Sequence, residues 1–264
     1  MIIDTHLHTW NTADIGIGWL QDAGLPPDAP IPDDDADRRY VLVEADADDP
    51  TKETDWLVAL ARHSENVHGV VAGVRMEDAA GARLEIERIA QLPEVLGVRR
   101  LLQDRDHFTS RQFSDSLSVL SQHGLPFDAC VRADELPALI GLLEPHDDLT
   151  VVLDHMGKPP LGDVNDFKRW QENLQRLAQL PHVYCKLSGL PAECRDQNQL
   201  ATRAEPVVTA AYSIFGPGRC MVGSDRPISQ DRSGWCDRVL QLIPEAHRDL
   251  VAHGTAEHVY AQRR

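Results

Sequence analysis

Positive charge is scarce in this chain. Its 264 residues carry 26 Lys and Arg against 42 Asp and Glu, a formal net charge of −16. Nucleic-acid phosphates and anionic lipid surfaces repel such a protein, so the composition excludes nucleic acid and the membrane surface as partners. Long apolar runs are missing too; none approaches the roughly 18 residues a transmembrane helix needs. The N-terminus runs straight into a strand pattern, without the basic segment, apolar core and cleavage site of a secretory leader. Cysteine is sparse and unpatterned. Cys130, Cys185, Cys194, Cys220 and Cys236 are odd in number and make no CxxC pair, as expected of reduced thiols in a cytoplasmic protein. No glycine-rich phosphate loop follows the first strand, which counts against a nucleotide-binding doubly wound sheet.

What is present is a rhythm. Short β-branched runs recur at Ile2–His8, Tyr40–Ala45, His68–Arg75, Gly97–Leu102, Pro126–Arg132, Thr150–His155, His182–Ser188 and Cys220–Ser224, most of them separated by helical patterns. Between Asp166 and Leu180, Phe167, Trp170, Leu174 and Leu177 form one stripe of a 3.6-residue period. Phe113, Leu117 and Leu120 mark a second helix, closed by Gly124; Asp134 is placed to cap a third over Glu135–Leu143; a fourth, Glu205–Phe215, ends at Gly216. Alternating strand and helix predicts a parallel sheet with right-handed crossovers. About eight such units predict a closed (β/α)8 TIM-like barrel, α/β in class, forming one domain over residues 1–264. The Pro- and Asp-rich "GLPPDAPIPDDDADR" breaks the rhythm after the first strand, where a long loop would lie over the barrel mouth.

The opening "MIIDTHLHTW" puts Asp4, His6 and His8 on alternate positions, which in an extended strand share one face. A His-x-His pattern alone is weak, since 12 His among 264 residues produce roughly 0.5 by chance. Barrel enzymes, however, gather functional side chains from strand C-termini. Those ends supply His6 and His8 from the first strand, Asp128 from the fifth, His155 from the sixth, Lys186 and Ser188 from the seventh, and Asp225 from the eighth. Three imidazoles and a carboxylate suit one zinc ion. They suit a metal-free hydrolase equally, with Asp225 as base toward water and the imidazoles donating to an oxyanion.

The blocks "DTHLH", "GVRRLLQD", "DHMGKPP", "CKLSGL" and "FGPGRCMVGSDRP" resemble, in order and spacing, the amidohydrolase superfamily. They are most similar to its lactonase branch of L-fuconolactonases, L-rhamnonolactonases and 2-pyrone-4,6-dicarboxylate lactonases. The resemblance includes "GIGWL" and Glu53–Thr54 and runs to "EHVYAQ" near the C-terminus. It implies a TIM-like barrel that opens lactones, often without needing a metal, through His6, His8, His155 and Asp225, with Arg99 on the substrate. Relatives with two metals add a lysine on the fourth strand and a histidine on the fifth; "GVRRLL" and "PFDACV" stand there instead, so one divalent ion at most is expected. The usual Trp after the eighth-strand Asp is Arg226, the usual Gln near the end of the second strand is Glu44, and the third strand ends in Arg75.

The expected activity is hydrolysis of a sugar-acid lactone, a small-molecule substrate, by water activated at Asp225. The same residues would serve a lactone isomerase; other relatives suggest a metal-dependent decarboxylase, and a dead barrel would bind a sugar acid without turnover. Arg75, Arg99 and Arg226, with Lys186 and Asp128, are the candidate substrate contacts. Either the arginines read a substrate carboxylate, or Glu44, Asp128 and Asp154 neutralise them and the substrate is neutral. Lys186 is either catalytic or the buried partner of Asp128 or Asp154. No zinc requirement and no oligomeric state follow from the sequence.

Overall fold

The structure, a computed structural model, describes residues 1–33, 37–103, 106–229 and 234–261. Asp34–Ala36 of the acidic loop, Asp104 of "GVRRLLQD" and Gln262 of "EHVYAQ" lie outside them. Eight parallel strands follow one another around a barrel: β1 (Ile2–Leu7), β2 (Arg38–Val43), β3 (Val67–Gly73), β4 (Val95–Leu101), β5 (Phe127–Cys130), β6 (Val151–Leu153), β7 (Val183–Leu187) and β8 (Cys220–Val222). Each of the eight expected strands is there. All eight stop one or two residues short of the expected ends, because the chain leaves the ladder where its side chains turn into the mouth.

Helices follow the strands and for the most part cover the outside of the sheet. They are α1 (Pro50–His63), α2 (Ala79–Ile89), α3 (Arg111–Gln122), α4 (Leu136–Leu143), α5 (Val164–Leu177), the four-residue α6 (Leu190–Glu193), α7 (Gln197–Phe215), α8 (Trp235–Leu242) and α9 (Thr255–Val259). The stripe foreseen on α5 is real: Trp170, Leu174 and Leu177 are buried and Phe167 packs against the core. Asp163 starts that helix, accepting hydrogen bonds from Asn165 N and Asp166 N. Asp134 does not cap α4; Glu135 holds the N-cap position, and its carboxylate accepts from Arg132 N. No helix among the described residues is long and apolar enough to cross a membrane.

Two apolar layers follow. One lies between sheet and helices. The other fills the lower barrel, where Ile3, Val41, Val71, Leu96, Val152 and Met221 meet Ala256, Val259 and Tyr260 of the C-terminal segment. Ile3 is therefore inside the barrel. The β1–β2 register shifts between Asp4 and Leu7, so His6 and His8 also turn inward and Asp4 does not. The shared face expected for Asp4, His6 and His8 is thus broken by one irregularity, as a one-residue slip requires.

Asp4 instead closes the barrel. Among the described residues no ladder joins β8 to β1, and a bridge between Leu7 and Arg226 links the two ends. Asp4 Oδ1 accepts from Ser224 N at 2.7 Å, Thr5 Oγ1 donates to Val222 O at 2.7 Å, and Asp225 N donates to His6 O at 2.7 Å. Gly223 sits in this seam because a Cβ there would stand 2.8 Å from His6 Cβ. The seam thus ties the two strand ends carrying His6 and Asp225 together.

The loop after β1 does reach over the mouth. It has a small core of its own, with Trp10, Ile15, Ile17, Leu20 and Ala29 packed on Ala45 and Ala47. Its one helical turn, Gly18–Leu20, presents Trp19, whose indole donates to Ala45 O at 2.8 Å.

Candidate active site

Four side chains converge at the C-terminal end of the barrel. His6 Nε2, His8 Nε2 and His155 Nε2 lie 3.8, 3.6 and 3.8 Å from one oxygen, Asp225 Oδ1. The other, Oδ2, accepts from Ser229 Oγ at 2.9 Å. All four side chains are buried or nearly so.

The backbone is strained to make this possible. His155, Met156, Gly157 and Lys158 all have positive φ, between 47° and 67°, and Asp225 has φ 59°. A left-handed conformation costs non-glycine residues roughly 1–2 kcal/mol each, and such strain gathers at functional sites. His155 therefore does not end β6; it stands on a left-handed turn one residue beyond the strand's neighbour Asp154. Its ring lies against Gly189, where a Cβ would come within 2.3 Å of Nδ1, and its Nδ1 pairs with Ser188 Oγ at 2.9 Å.

Burial sets the protonation states. It lowers the His155 pKa to about 4, beyond what Asp225 and Asp154 restore, so this ring is neutral at pH 7. Burial likewise pulls His6 well below the ordinary histidine value. For Asp225 burial acts upward, but the surrounding imidazoles outweigh it and hold the carboxyl below the usual carboxylate range. At neutral pH the Asp225 carboxylate thus faces neutral His6 and His155 rings.

His8 Nδ1 lies 3.0 Å from Val43 O. A carbonyl only accepts, so Nδ1 carries the proton and Nε2 offers its lone pair toward the cluster. His6 Nε2 is 3.1 Å away. Two partners compete for His6 Nδ1: Asp154 Oδ1 at 3.3 Å and Lys186 Nζ at 3.3 Å. With the proton on Nδ1 facing Asp154, both Nε2 lone pairs and Asp225 Oδ1 point at one place, an arrangement suited to a small cation. With Lys186 donating to Nδ1, His6 Nε2–H donates to His8 Nε2 and the pair closes without one. His6, His8 and Asp225 form such a ligand group, and so do His6, Asp154 and His155. The second set is poorer, because Asp154 is committed to Arg99 at 3.0 Å and Lys186 at 3.1 Å. These donors fit one zinc ion.

Below the cluster lies a charge network. Lys186 is fully buried, 2.5 Å from Asp128 Oδ2 and 3.1 Å from Asp154 Oδ1. Tyr260 Oη donates to Asp128, 2.7 Å from either oxygen. Burial pushes Asp128 up to about 6 despite the Lys186 ammonium. Lys186 is thus the buried partner of two carboxylates, and it and Asp128 do not line the cavity above. Arg99 does line it, but its guanidinium already meets Glu44 Oε1 at 2.7 Å and Asp154 Oδ2 at 3.0 Å. Arg75 stands outside: it is exposed, donates to Asp48 O at 3.0 Å and borders neighbouring cavities. Arg226 joins the seam through its backbone, accepting from His8 N and donating to Ser224 Oγ, and its side chain is not among those lining the cavity.

That cavity, of about 350 Å³, rises above His8, His155 and Asp225. Trp19, Ala45, Leu101, Ala192 and Ile228 give it an apolar side, and Asp46, Arg99, Gln103, Lys158 and Glu193 a polar one. Of these walls, Trp19 and Lys158 lie within "GIGWL" and "DHMGKPP"; Glu193 carries no sequence signal. His146 is buried and paired with Ser114 Oγ at 2.8 Å.

An amidohydrolase family model matches residues 3–262. The chain belongs to the amidohydrolase family. Among its family relatives is an L-fucono-1,5-lactonase from Burkholderia ambifaria, 32% identical and covering 98% of this chain and 94% of the relative. A second L-fucono-1,5-lactonase, from Burkholderia multivorans, is 31% identical over 98% of this chain and 95% of its own length. Among solved structures, an amidohydrolase from Burkholderia multivorans with bound zinc is 30% identical, covers both chains fully and superposes with a TM-score of 0.84.

Proposed function

We propose that this amidohydrolase is a lactonase that opens a neutral sugar lactone to its hydroxy acid. The observation that carries the reading is the convergence of three imidazoles on one ionised carboxylate oxygen beneath a cavity of sugar size. L-Fucono-1,5-lactonase relatives at near-full coverage support it. Hydrolysis of a carboxylic ester is the chemistry these groups perform together.

In this mechanism Asp225 orients a water beneath the lactone carbonyl and accepts its proton as the oxygen attacks. The ester carbonyl oxygen becomes an oxyanion, stabilised by donors among the imidazoles. As the ring C–O bond breaks, the proton returns from Asp225 to the leaving ring oxygen, so the product is an acid with a free hydroxyl. A carboxylate held this far below its usual range is a weak base toward bulk water, so its effect depends on contact with water that is already attacking. His6, His8 and Asp225 would hold one zinc ion, which when bound would lower the pKa of a water and polarise the carbonyl.

Charge supports a neutral substrate. Among the described residues, both cations lining the cavity are matched: Arg99 by Glu44 and Asp154, Lys158 by Glu193 at 3.1 Å. Asp225 adds negative charge that a carboxylate substrate would meet. The apolar Trp19, Ala45 and Ile228 side suits a deoxy-sugar methyl or a ring face. All five cysteines are free thiols, four of them buried, which supports a cytoplasmic setting.

The test is a panel of aldono-1,5- and 1,4-lactones, L-fucono-1,5-lactone included, in H₂¹⁸O. Hydrolysis releases one equivalent of acid carrying one ¹⁸O. Rearranged lactone without acid would make the enzyme an isomerase, release of carbon dioxide from an aromatic acid a decarboxylase, and binding without turnover a sensor. Metal analysis and chelation belong to the same experiment: at most one ion per chain is expected, with hydrolysis persisting after chelation. Complete loss restored by zinc would make the ion obligatory.

A further inference from the structure

The active cavity has a neighbour. A groove of about 690 Å³ runs outward along α5 from the same turn that carries His155. The two spaces share two lining residues, Lys158 and Glu193, and these are bonded to each other at 3.1 Å. The ion pair is therefore the partition between them.

Both partners are placed by features already described. Lys158 ends the left-handed turn, with its N–H on His155 O at 2.9 Å; Trp170 holds that turn from the groove side, its indole donating to Met156 O at 2.8 Å. Glu193 ends α6, which begins just after Gly189 beneath the His155 ring. The pair itself is partly exposed, 16% and 27%, and such pairs are weakly held. At about 350 Å³ the inner cavity is near the lower end of the roughly 300–1,000 Å³ range of ligand sites. It suits one ring. The groove beyond offers Pro160 and Leu161 beside Arg132, Arg169 and Asn173, apolar surface interleaved with hydrogen-bonding groups, the mixture a sugar ring uses.

We propose that Lys158 and Glu193 determine how many rings the enzyme accepts. The closed pair confines the substrate to a single ring, and the groove is a second-ring subsite that opening the pair makes continuous with the site. The proposal rests on the sugar-lactone reading. Its test compares glucono-1,5-lactone with the disaccharide lactobionolactone, as substrates and as competitors of the best single-ring lactone. Three enzymes are needed: the wild type, the Lys158→Ala/Glu193→Ala double variant, and the reversed pair Lys158→Glu/Glu193→Lys. The wild type should favour the single ring by at least about tenfold. The double variant should shrink that preference at least fivefold, and the reversed pair should restore it. An unchanged ratio in all three overturns the proposal. Where a variant loses turnover, calorimetry with gluconate and lactobionate reads the same ratio, and loss of both acids from the variants also overturns it. A wild type that opens no lactone refutes the lactone reading instead, and the acid-binding ratio still judges the partition.

Discussion

The two levels of the barrel interior use the same kinds of residue to opposite ends. On the lower level Lys186, Asp128, Asp154, Arg99 and Tyr260 form a closed account of charge: each carboxylate has a cation or a hydroxyl on it. On the upper level His6, His8, His155 and Asp225 point at a common place with no protein cation among them. A buried charge matched by its neighbours is structure; convergent donors without a matching cation are a site. The Lys186 ammonium also stands 3.3 Å from His6 Nδ1, filling with a fixed cation the region just below the zinc-type cluster. That is a physical reason to expect one ion and not two.

Breaking the upper level should have the largest effect. Asp225→Asn is nearly isosteric, and Asn tolerates the left-handed backbone at this position, so the fold should survive. Turnover should fall at least ~10²–10⁴-fold, the range of general-base removal. Circular dichroism and thermal melting check the fold, and a rate within threefold of wild type would remove Asp225 from the mechanism.

Breaking the lower level should instead destabilise the protein. Lys186→Met leaves Asp128 and Asp154 without their ammonium, and truncating one side of a buried pair costs about 3–5 kcal/mol. At ~2–4 °C per kcal/mol for a chain of this size, Tm should drop by roughly 6–20 °C. The loss should shrink on acidification. Burial already holds Asp128 at about 6; without Lys186 it rises further, the folded state then binds a proton the unfolded chain lacks, and stability recovers as pH falls. A Tm loss independent of pH between 5 and 8 would contradict that account.

Tyr260→Phe sharpens the division between levels. It removes a hydroxyl from a buried carboxylate, worth about 1.5–3 kcal/mol, while kcat stays within a few-fold because Tyr260 lies below the cluster. A large fall in kcat with unchanged Tm would show that the levels are coupled.

The last test concerns Glu53, behind the cavity wall. Burial, then repulsion from Glu44, lifts its pKa to about 8. Its folded pKa lies above its unfolded one, so the folded state retains a proton that the unfolded chain loses above about pH 4.3. Stability from this group is greatest below that pH and declines as pH rises toward 8, by at most about 1.4 kcal/mol per pH unit. Glu53→Gln cannot titrate, so urea midpoints should fall less steeply between pH 5 and 8 than in the wild type. Parallel curves would show that Glu53 is ionised in the fold.

Much of this protein is local in origin. The eight strands follow from β-branched runs, the α5 face from its period, and the set His6, His8, His155 and Asp225 from the rule that barrel strands deliver their C-terminal residues to one mouth. Contacts between residues far apart in sequence decided the rest. One register shift in β1 sent Asp4 to the seam and Ile3 into the barrel, which alternation alone does not foresee. Arg99 meets carboxylates 55 residues away on either side, and Lys186 meets Asp128 58 residues away. Which arginine is neutralised and which lysine is buried is therefore a product of barrel closure. Periodicity states which way a side chain leaves its own strand; the charge it meets there belongs to another strand, and only the tertiary structure brings the two within Coulomb range.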